Sequence, residues 1–243
     1  MIELLPVAGM PEVTPGDDLA ALILERAGLR DADILVVAQK AVSKAEGRLV
    51  KLSEVEPSER ARELAARLPG ADARHVQVVL DESVRVVRAE RVIISETRHG
   101  FVCANAGVDH SNLPDGDLLC LLPEDPDGSA SRLRARIREV AGVDVGVIVS
   151  DTFGRAWRMG IVNVALGVAG VPAALDLRGR LDDFGRELTA TVIAIADELA
   201  AAAELVMGKT DRVPAVIVRG YSPEGAAGRG RDLVRPAELD LFR

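Results

Sequence analysis

The 243-residue sequence predicts an α+β fold of two interwoven lobes, built from mixed and antiparallel sheets with flanking helices. Three observations carry that prediction. Helical and strand periods alternate in the first segment, short apolar runs broken by Gly, Pro, Asp and Asn fill the middle, and buried strands with an Ala-rich helix close the chain. Hydrophobic residues make up 48% of the sequence, enough for a packed core. No low-complexity linker or fixed-period repeat divides it, so residues 1–243 read as a single two-lobed domain.

Taken in order, "DDLAALILERAG" has helical spacing and a start at Asp17 or Asp18, and "DADILVVAQKAVSK" reads as a buried strand entering a polar turn. "PSERARELAARL" is a second helix with Ser58 as its N-cap. The stretch "AERVIISETRHGFVCANAGVDHSNLPDGDLLCLLPEDPDGSA" predicts antiparallel strands and functional loops. A helix follows in "SASRLRARIREVAG", then the strand "DVGVIVSD", a glycine-rich apolar stretch "GIVNVALGVAGVPAAL", a helix from Thr189 to Met207, and the buried strand "VPAVIVRGY". The tail "GRGRDLVRPAELDLFR" is expected to fold back, because its apolar residues would be wasted in solvent.

The net charge of −8 argues against nucleic-acid and anionic-membrane partners, which favour an extended basic surface. No apolar run is long enough to span a bilayer and the first residues do not resemble a signal peptide, so the cytoplasm is the expected compartment. Cys103 and Cys120 lack metal-ligand spacing and sit in apolar surroundings, as buried free thiols do.

Four stretches carry candidate chemistry. "MGKT", Met207 to Thr210, resembles the end of a phosphate-binding P-loop, but the required upstream glycine is Ala203 and a helix stands where a strand should be. That motif is a decoy, although Gly208 after a helix end can still line a site made in another way. The loop "ANAGVDHSN" crowds Asn105, Asp109, His110, Ser111 and Asn112; these types serve a structural turn or a site for a hard metal or nucleotide equally well.

In "VIVSDTFGRAWRMG", an apolar strand that ends on Asp151 and Thr152 delivers two oxygen ligands to the crevice where α/β sheets bind ligands. Asp151 as the cap of a following turn is the alternative. Asp109 and Asp151 form a metal pair if the fold brings them together. Arg155 and Arg158, three apart around Trp157, have a spacing suited to phosphate or carboxylate, with surface salt bridges as the plain reading. In "AQKAVSKAEGR", Gln39, Lys40, Ser43 and Lys44 follow a strand directly, and two of the chain's few lysines there suggest a phosphate-binding edge over a solvated loop.

With these residues in view, the sequence resembles the coenzyme F420-0:L-glutamate ligase family, also called F420:γ-glutamyl ligase. The likeness runs from "GMPEVTPGDDLA" through "SKAEGR", "PSERA", "CANAGVDHSN", "PDGSA" and "VSDTFGR" to "GREL", "DELA", "MGK" and "VPAVIVRG". It implies a two-lobed α+β protein, neither P-loop nor Rossmann, that forms intertwined homodimers. The implied reaction is GTP-dependent addition of L-glutamate to the lactyl carboxylate of the deazaflavin F420-0, then further γ-linked additions, releasing GDP and phosphate. The stand-alone form, without a nitroreductase-like domain, is the one expected.

By position, the resemblance places guanine-nucleotide contacts on Met10, Pro11, Glu12, Val13, Gln39, Lys40, Lys44 and Asn112, and again at Met207, Gly208 and Lys209. It places two divalent ions, magnesium or manganese, on Asp109, Asp151 and Thr152, with potassium as a further ion. Lys209 stands where archaeal-type members carry glutamate, and Gln39 and Lys40 replace small hydroxyl residues. The implied mechanism is an acyl phosphate attacked by the glutamate amine, with Lys44 and Arg155 stabilising the phosphates. Competing readings from the same aspartates are a metal-dependent nucleotide phosphohydrolase and a non-catalytic guanine-nucleotide-binding module.

Overall fold

The computed structural model describes residues 1–240 and shows two lobes. The first lobe opens with β1 (Glu3–Pro6), α1 (Leu19–Leu24), β2 (Ile34–Ala38) and α2 (Gln39–Ala45). The second follows as an insertion: β3 (Leu49–Lys51), α3 (Glu59–Arg67), α4 (Ala73–Asp81), β4 (Ser83–Ala89), β5 (Ile93–Thr97), β6 (Val102–Ala104) and β7 (Leu118–Cys120). The chain then returns to the first lobe with α5 (Pro126–Ala141), β8 (Gly146–Arg155), β9 (Arg158–Ala169), β10 (Leu175–Asp176), β11 (Val192–Ile193), α6 (Ile195–Met207) and β12 (Ala215–Arg219).

The first lobe is organised by a five-stranded sheet in the order β1-β12-β2-β8-β9. Its β2–β8 pair is parallel, with Ala38 opposite Ser150, while the other neighbours are antiparallel. Strand side chains alternate between faces, and the sequence supplies apolar residues at both parities. Leu35, Val37, Val147, Val149 and Ile217 therefore pack towards α1, α2 and α5. Ile34, Val36, Ile148, Val216 and Val218 pack towards α6, whose Ala196, Ala200 and Ala203 let the helix lie close to the sheet. In the second lobe, α3 and α4 bury Ala61, Ala65, Val76 and Val79 against Ile93 and Leu119.

The outer edge of β9 is closed by helix starts. Asp127 in the first turn of α5 accepts from the Val168 N–H at 2.8 Å, and Asp197 in the first turn of α6 accepts from the Ala165 N–H at 2.8 Å. Carboxylates at helix N-termini are favoured by the helix dipole, and here they also satisfy edge donors that could otherwise recruit another strand. The close approach requires Gly167, where a Cβ would lie 2.0 Å from the Pro126 carbonyl oxygen.

Several expectations hold. Asp18 caps α1 and Ser58 caps α3, each accepting a backbone N–H three residues on. The tail folds back, with Gly230 buried against Leu166 and Val234 packed into a small cluster with Phe101 and Leu122; residues 241–243 lie outside the described residues. Cys103 and Cys120 are free and buried, and "MGKT" follows a helix and opens none.

Others are corrected. "AQKAVSK" is the helix α2, not a polar turn, because Ala41 and Val42 are needed in the first core cluster. Asp151 and Thr152 do not end their strand: β8 runs on to Arg155, turns at Ala156 and Trp157, and pairs back through β9, with Asp151 opposite Val164. That pairing also removes the turn-cap reading of Asp151, since its backbone lies within a ladder. The helix expected from Thr189 begins at Ile195, because Val192 and Ile193 pair with β10 in an arm whose hydrogen bonds continue from Leu177–Thr191 to Asp182–Arg186. The helix α4, capped by Asp72, had not been anticipated.

At the open end of β12, the Arg219 guanidinium grips Asp33 with bonds of 2.9 and 2.7 Å, and Asp33 is 2% exposed. Replacing Arg219 by Met strands that buried carboxylate. The variant is expected to unfold at a lower urea concentration than the parent, and an unchanged midpoint would show the pair to be no more than a surface contact.

Candidate active site

Five segments meet where β2 ends beside β8 and their pairing stops. The parallel register, Ala38 against Ser150, brings the residues after β2 to the same end of the sheet as Asp151. α2 thus supplies Gln39 and Lys40 from its first turn and Lys44 from its last. The 105–112 segment, coming from the second lobe, is held over them by backbone bonds between Asp109 and Cys120 of 3.0 and 2.8 Å. Asn105, Ala106 and Gly107 are all left-handed, at φ 51, 53 and 74°. Only glycine fits position 107, since a Cβ would meet Leu122 at 2.6 Å as well as the unfavourable φ.

The charges in this region are paired. Lys40 Nζ donates to Asp109 Oδ2 at 2.8 Å and to the Ser111 carbonyl and hydroxyl at 2.8 and 2.9 Å. Lys44, largely buried, donates to Glu12 from the N-terminal loop and to the Asn112 carbonyl at 2.9 Å. From the end of α6, Lys209 Nζ donates to the Thr152 hydroxyl, while Asn112 Nδ2 donates to the Lys209 carbonyl at 3.3 Å. The Thr152 hydroxyl in turn donates to Asn163 Oδ1 at 2.8 Å.

The two aspartates differ in their surroundings. Burial works to raise the Asp109 carboxyl, but the Lys40 ammonium and the Ser111 N–H and hydroxyl outweigh it and hold it at about 2. Burial dominates at Asp151 and pushes it up to about 6, against the Thr152 N–H and the charges of Lys209 and Lys40, and with the help of Asp109. Asp151 is the carboxylate that still lacks a cation. Burial lifts the Cys103 thiol to about 12 and the Cys120 thiol to about 11, so neither offers a thiolate to a metal or a substrate near neutral pH.

Among the described residues no three His, Cys, Asp or Glu groups converge on one metal position. The residues nevertheless fit a magnesium-like ion, which takes one or two carboxylates and completes its shell with water and phosphate oxygens. Asp151, with its unmet charge, and Asp109, with a lone pair left after three donors, would be its protein ligands.

The structure brings together Glu12, Lys40, Lys44, Asp109, Asn112, Thr152 and Lys209 through direct contacts, and Asp151 through its electrostatic coupling to Lys40, Asp109 and Lys209. Met10 and Val13 pack against the first core cluster beside this loop and Pro11 is exposed. Gln39 is buried and accepts from the Ser43 hydroxyl at 2.9 Å, so its side-chain oxygen is engaged within α2. Met207 is buried in the second core, and Gly208 caps α6 at φ 57°. Arg155 is not gathered in: its guanidinium donates to the Met159 carbonyl at 2.7 Å across the hairpin turn. His110 is exposed at the rim. Asn163 was missed by sequence reasoning, although one asparagine within the apolar "GIVNVALG" was a visible signal.

A cleft of about 580 Å³ lies between α5 and the 227–231 segment and contains none of these residues. Its acids are already used: Asp125 caps α5, Asp127 holds strand and tail N–H groups, and Asp144 pairs with Arg134. The converging lysines and aspartates make the sheet end the better candidate.

The comparisons agree on one family. The profile of "F420-0:Gamma-glutamyl ligase" matches residues 9–220. A coenzyme F420:L-glutamate ligase of Methanopyrus kandleri is 52% identical over 244 residues, covering 98% of this chain and 96% of that protein. The proteins of the same description from Methanothermobacter thermautotrophicus and Archaeoglobus fulgidus are 50% and 49% identical, over 100% of this chain and 99% and 96% of theirs.

The Asp151 shift has a sign that can be checked in metal-free protein. Its folded value lies above the ordinary 3.8, so the cost of the buried charge is absent below pH 4, grows as the pH rises through about 6, and is complete above it. Asp151→Asn removes that cost. With chelator present the variant is expected to melt higher than the parent at pH 8 and at the same temperature at pH 4; equal melting at both would contradict the assignment.

Proposed function

The chain belongs to the F420-0:gamma-glutamyl ligase family, and on that premise we propose that it joins L-glutamate to F420-0 in a GTP-dependent reaction at the end of the β2–β8 pair. The observation that supports this most strongly is the convergence of Lys40, Lys44 and Lys209 with Asp109 and Asp151 from separate segments, all within the matched residues.

A carboxylate resists attack by an amine, so the lactyl carboxylate of F420-0 must first be activated. In the proposed route its oxygen takes the γ-phosphoryl group of GTP, the γ-phosphorus bond to the bridging oxygen breaks, and GDP leaves. The glutamate nitrogen then bonds the acyl carbon, loses a proton and expels phosphate, leaving the amide. Further γ-linked additions repeat this at the new terminal carboxylate. A bound magnesium or manganese ion would offset phosphate charge during transfer. Lys44 and Lys40 hold positive charge on the nucleotide side, and Lys209 approaches from the end of α6. Much of the catalysis is positioning and charge compensation.

A homodimer is part of the same reading. Trp157 and Met159 at the β8–β9 hairpin are 85% and 96% exposed, and Phe184 at the tip of the second arm is 86% exposed. Exposed apolar side chains at two hairpin turns suit a second copy. No helix among the described residues is long and apolar enough to cross a membrane, and buried free thiols are consistent with a cytoplasmic location.

Two experiments test this reading. Incubation with GTP, manganese, L-glutamate and F420-0 is expected to give a product heavier by one glutamyl unit in the mass spectrum, with Asp151→Asn lowering turnover on the order of 100-fold or more. Phosphate release without the heavier product would instead favour the phosphohydrolase. In light scattering, the parent is expected as a dimer and the double variant Met159→Asp, Phe184→Asp as a monomer; a monomeric parent would contradict the dimer.

A further inference from the structure

We propose that the Lys209 ammonium is a built-in cation of this site, occupying the position beside Thr152 that a second divalent ion would need, so that one divalent ion is bound per chain. This rests on the reading of the site as a metal-dependent nucleotide site.

Three observations carry it. The first is the state of Thr152: its hydroxyl accepts from Lys209 Nζ and donates to Asn163 Oδ1 at 2.8 Å, so it is oriented for an ammonium partner. An ion arriving there meets that ammonium and is repelled by it. The second is the anchoring of Lys209, whose carbonyl accepts from Asn112 at 3.3 Å just after Gly208 closes α6 at φ 57°. Its main chain and its tip are thus both tied to the site. The third is the pleat of β8. Thr152 is the cross-strand partner of Asn163 and shares a face with it, where Asn163 meets Met207 of α6. Its neighbour Asp151 points to the other face, that of α2, where the Lys40 and Asp109 charges act on it.

Charge counting agrees. Lys40 pairs with Asp109 and Lys44 with Glu12, and the Lys209 ammonium at Thr152 makes the lysine charges equal in number to those of Glu12, Asp109 and Asp151, although it makes no ion pair with Asp151. One added divalent ion then leaves two positive charges in excess, facing a polyphosphate. A second would add two more beside an ammonium, and no three His, Cys, Asp or Glu side chains among the described residues converge to hold it. The side chain that supplies the second positive charge is permanent, needs no metal to load, and reaches in from the end of α6.

The test is the number of manganese ions bound per chain, read by electron paramagnetic resonance with the β,γ-imido analogue of GTP present, for the parent and for Lys209→Glu. The parent is expected to bind one ion with an uncoupled spectrum. Lys209→Glu, which puts a carboxylate where the ammonium was, is expected to bind two with a spin-coupled spectrum. A matching thermal melt shows that the variant is folded; Lys209 is exposed, so its replacement leaves the core untouched. Two ions in the parent would overturn the proposal and leave the nucleotide reading standing. One ion in both proteins would overturn the role of Lys209. No bound ion in the parent would overturn the metal-dependent reading itself, and this inference with it.

Discussion

The structure depends on the parallel pairing of β2 with β8. Parallel neighbours run the same way, so the chain leaving the end of β2 emerges beside the stretch of β8 that continues past it. The register of Ala38 against Ser150 sets the lysines of α2 beside Asp151, and strand parity locks it. A slip of β8 by one residue would turn Ile148 out of the α6 core, where Val36 would remain, and carry Asp151 to the wrong face. The packing of two apolar cores therefore fixes the geometry of a polar site.

Around that pair the molecule places acids and lysines so that nearly every charge has a partner. Asp109 has Lys40 and Ser111, and Glu12 has Lys44. Asp151 is left short, with burial outweighing the charges that act on it. A half-buried carboxylate kept under-compensated costs stability, and such costs persist where a ligand repays them. The inserted second lobe contributes by lowering the 105–112 segment, with its left-handed residues, onto this deficit. Arg48 ties the two lobes at their junction, bonding the Leu122 carbonyl at 3.0 Å and Glu82 at 2.9 Å.

Much of this was legible in the sequence because it follows local rules. Asp18 and Ser58 announce their helices, the apolar runs of β2, β8 and β12 are plain, and Asp109, Asp151 and Lys44 stand out as polar groups at the borders of such runs. The rest depends on partners that no local window contains. The helix α2 has no side-chain cap and follows β2 without a Gly or Pro, so its start is invisible until Ala41 and Val42 find the core. β8 continues past Asp151 only because β9 pairs with it, and Gly154 and the two arginines disguise that as a loop. The arm of residues 175–193 is likewise set by cross-strand bonds, where helical spacing alone had extended α6 backwards. The contact between Lys209 and Thr152 joins residues 57 positions apart and has no local signature.

The central claim is that the end of the β2–β8 pair receives the nucleotide phosphates and their metal ion. The most direct measurement is anomalous diffraction at the manganese edge from crystals grown with manganese and the β,γ-imido analogue of GTP. A manganese peak in contact with the Asp151 and Asp109 carboxylates, with phosphate oxygens on Lys44, is the predicted result. A peak elsewhere, such as in the cleft beside α5, with Asp151 untouched, would contradict it.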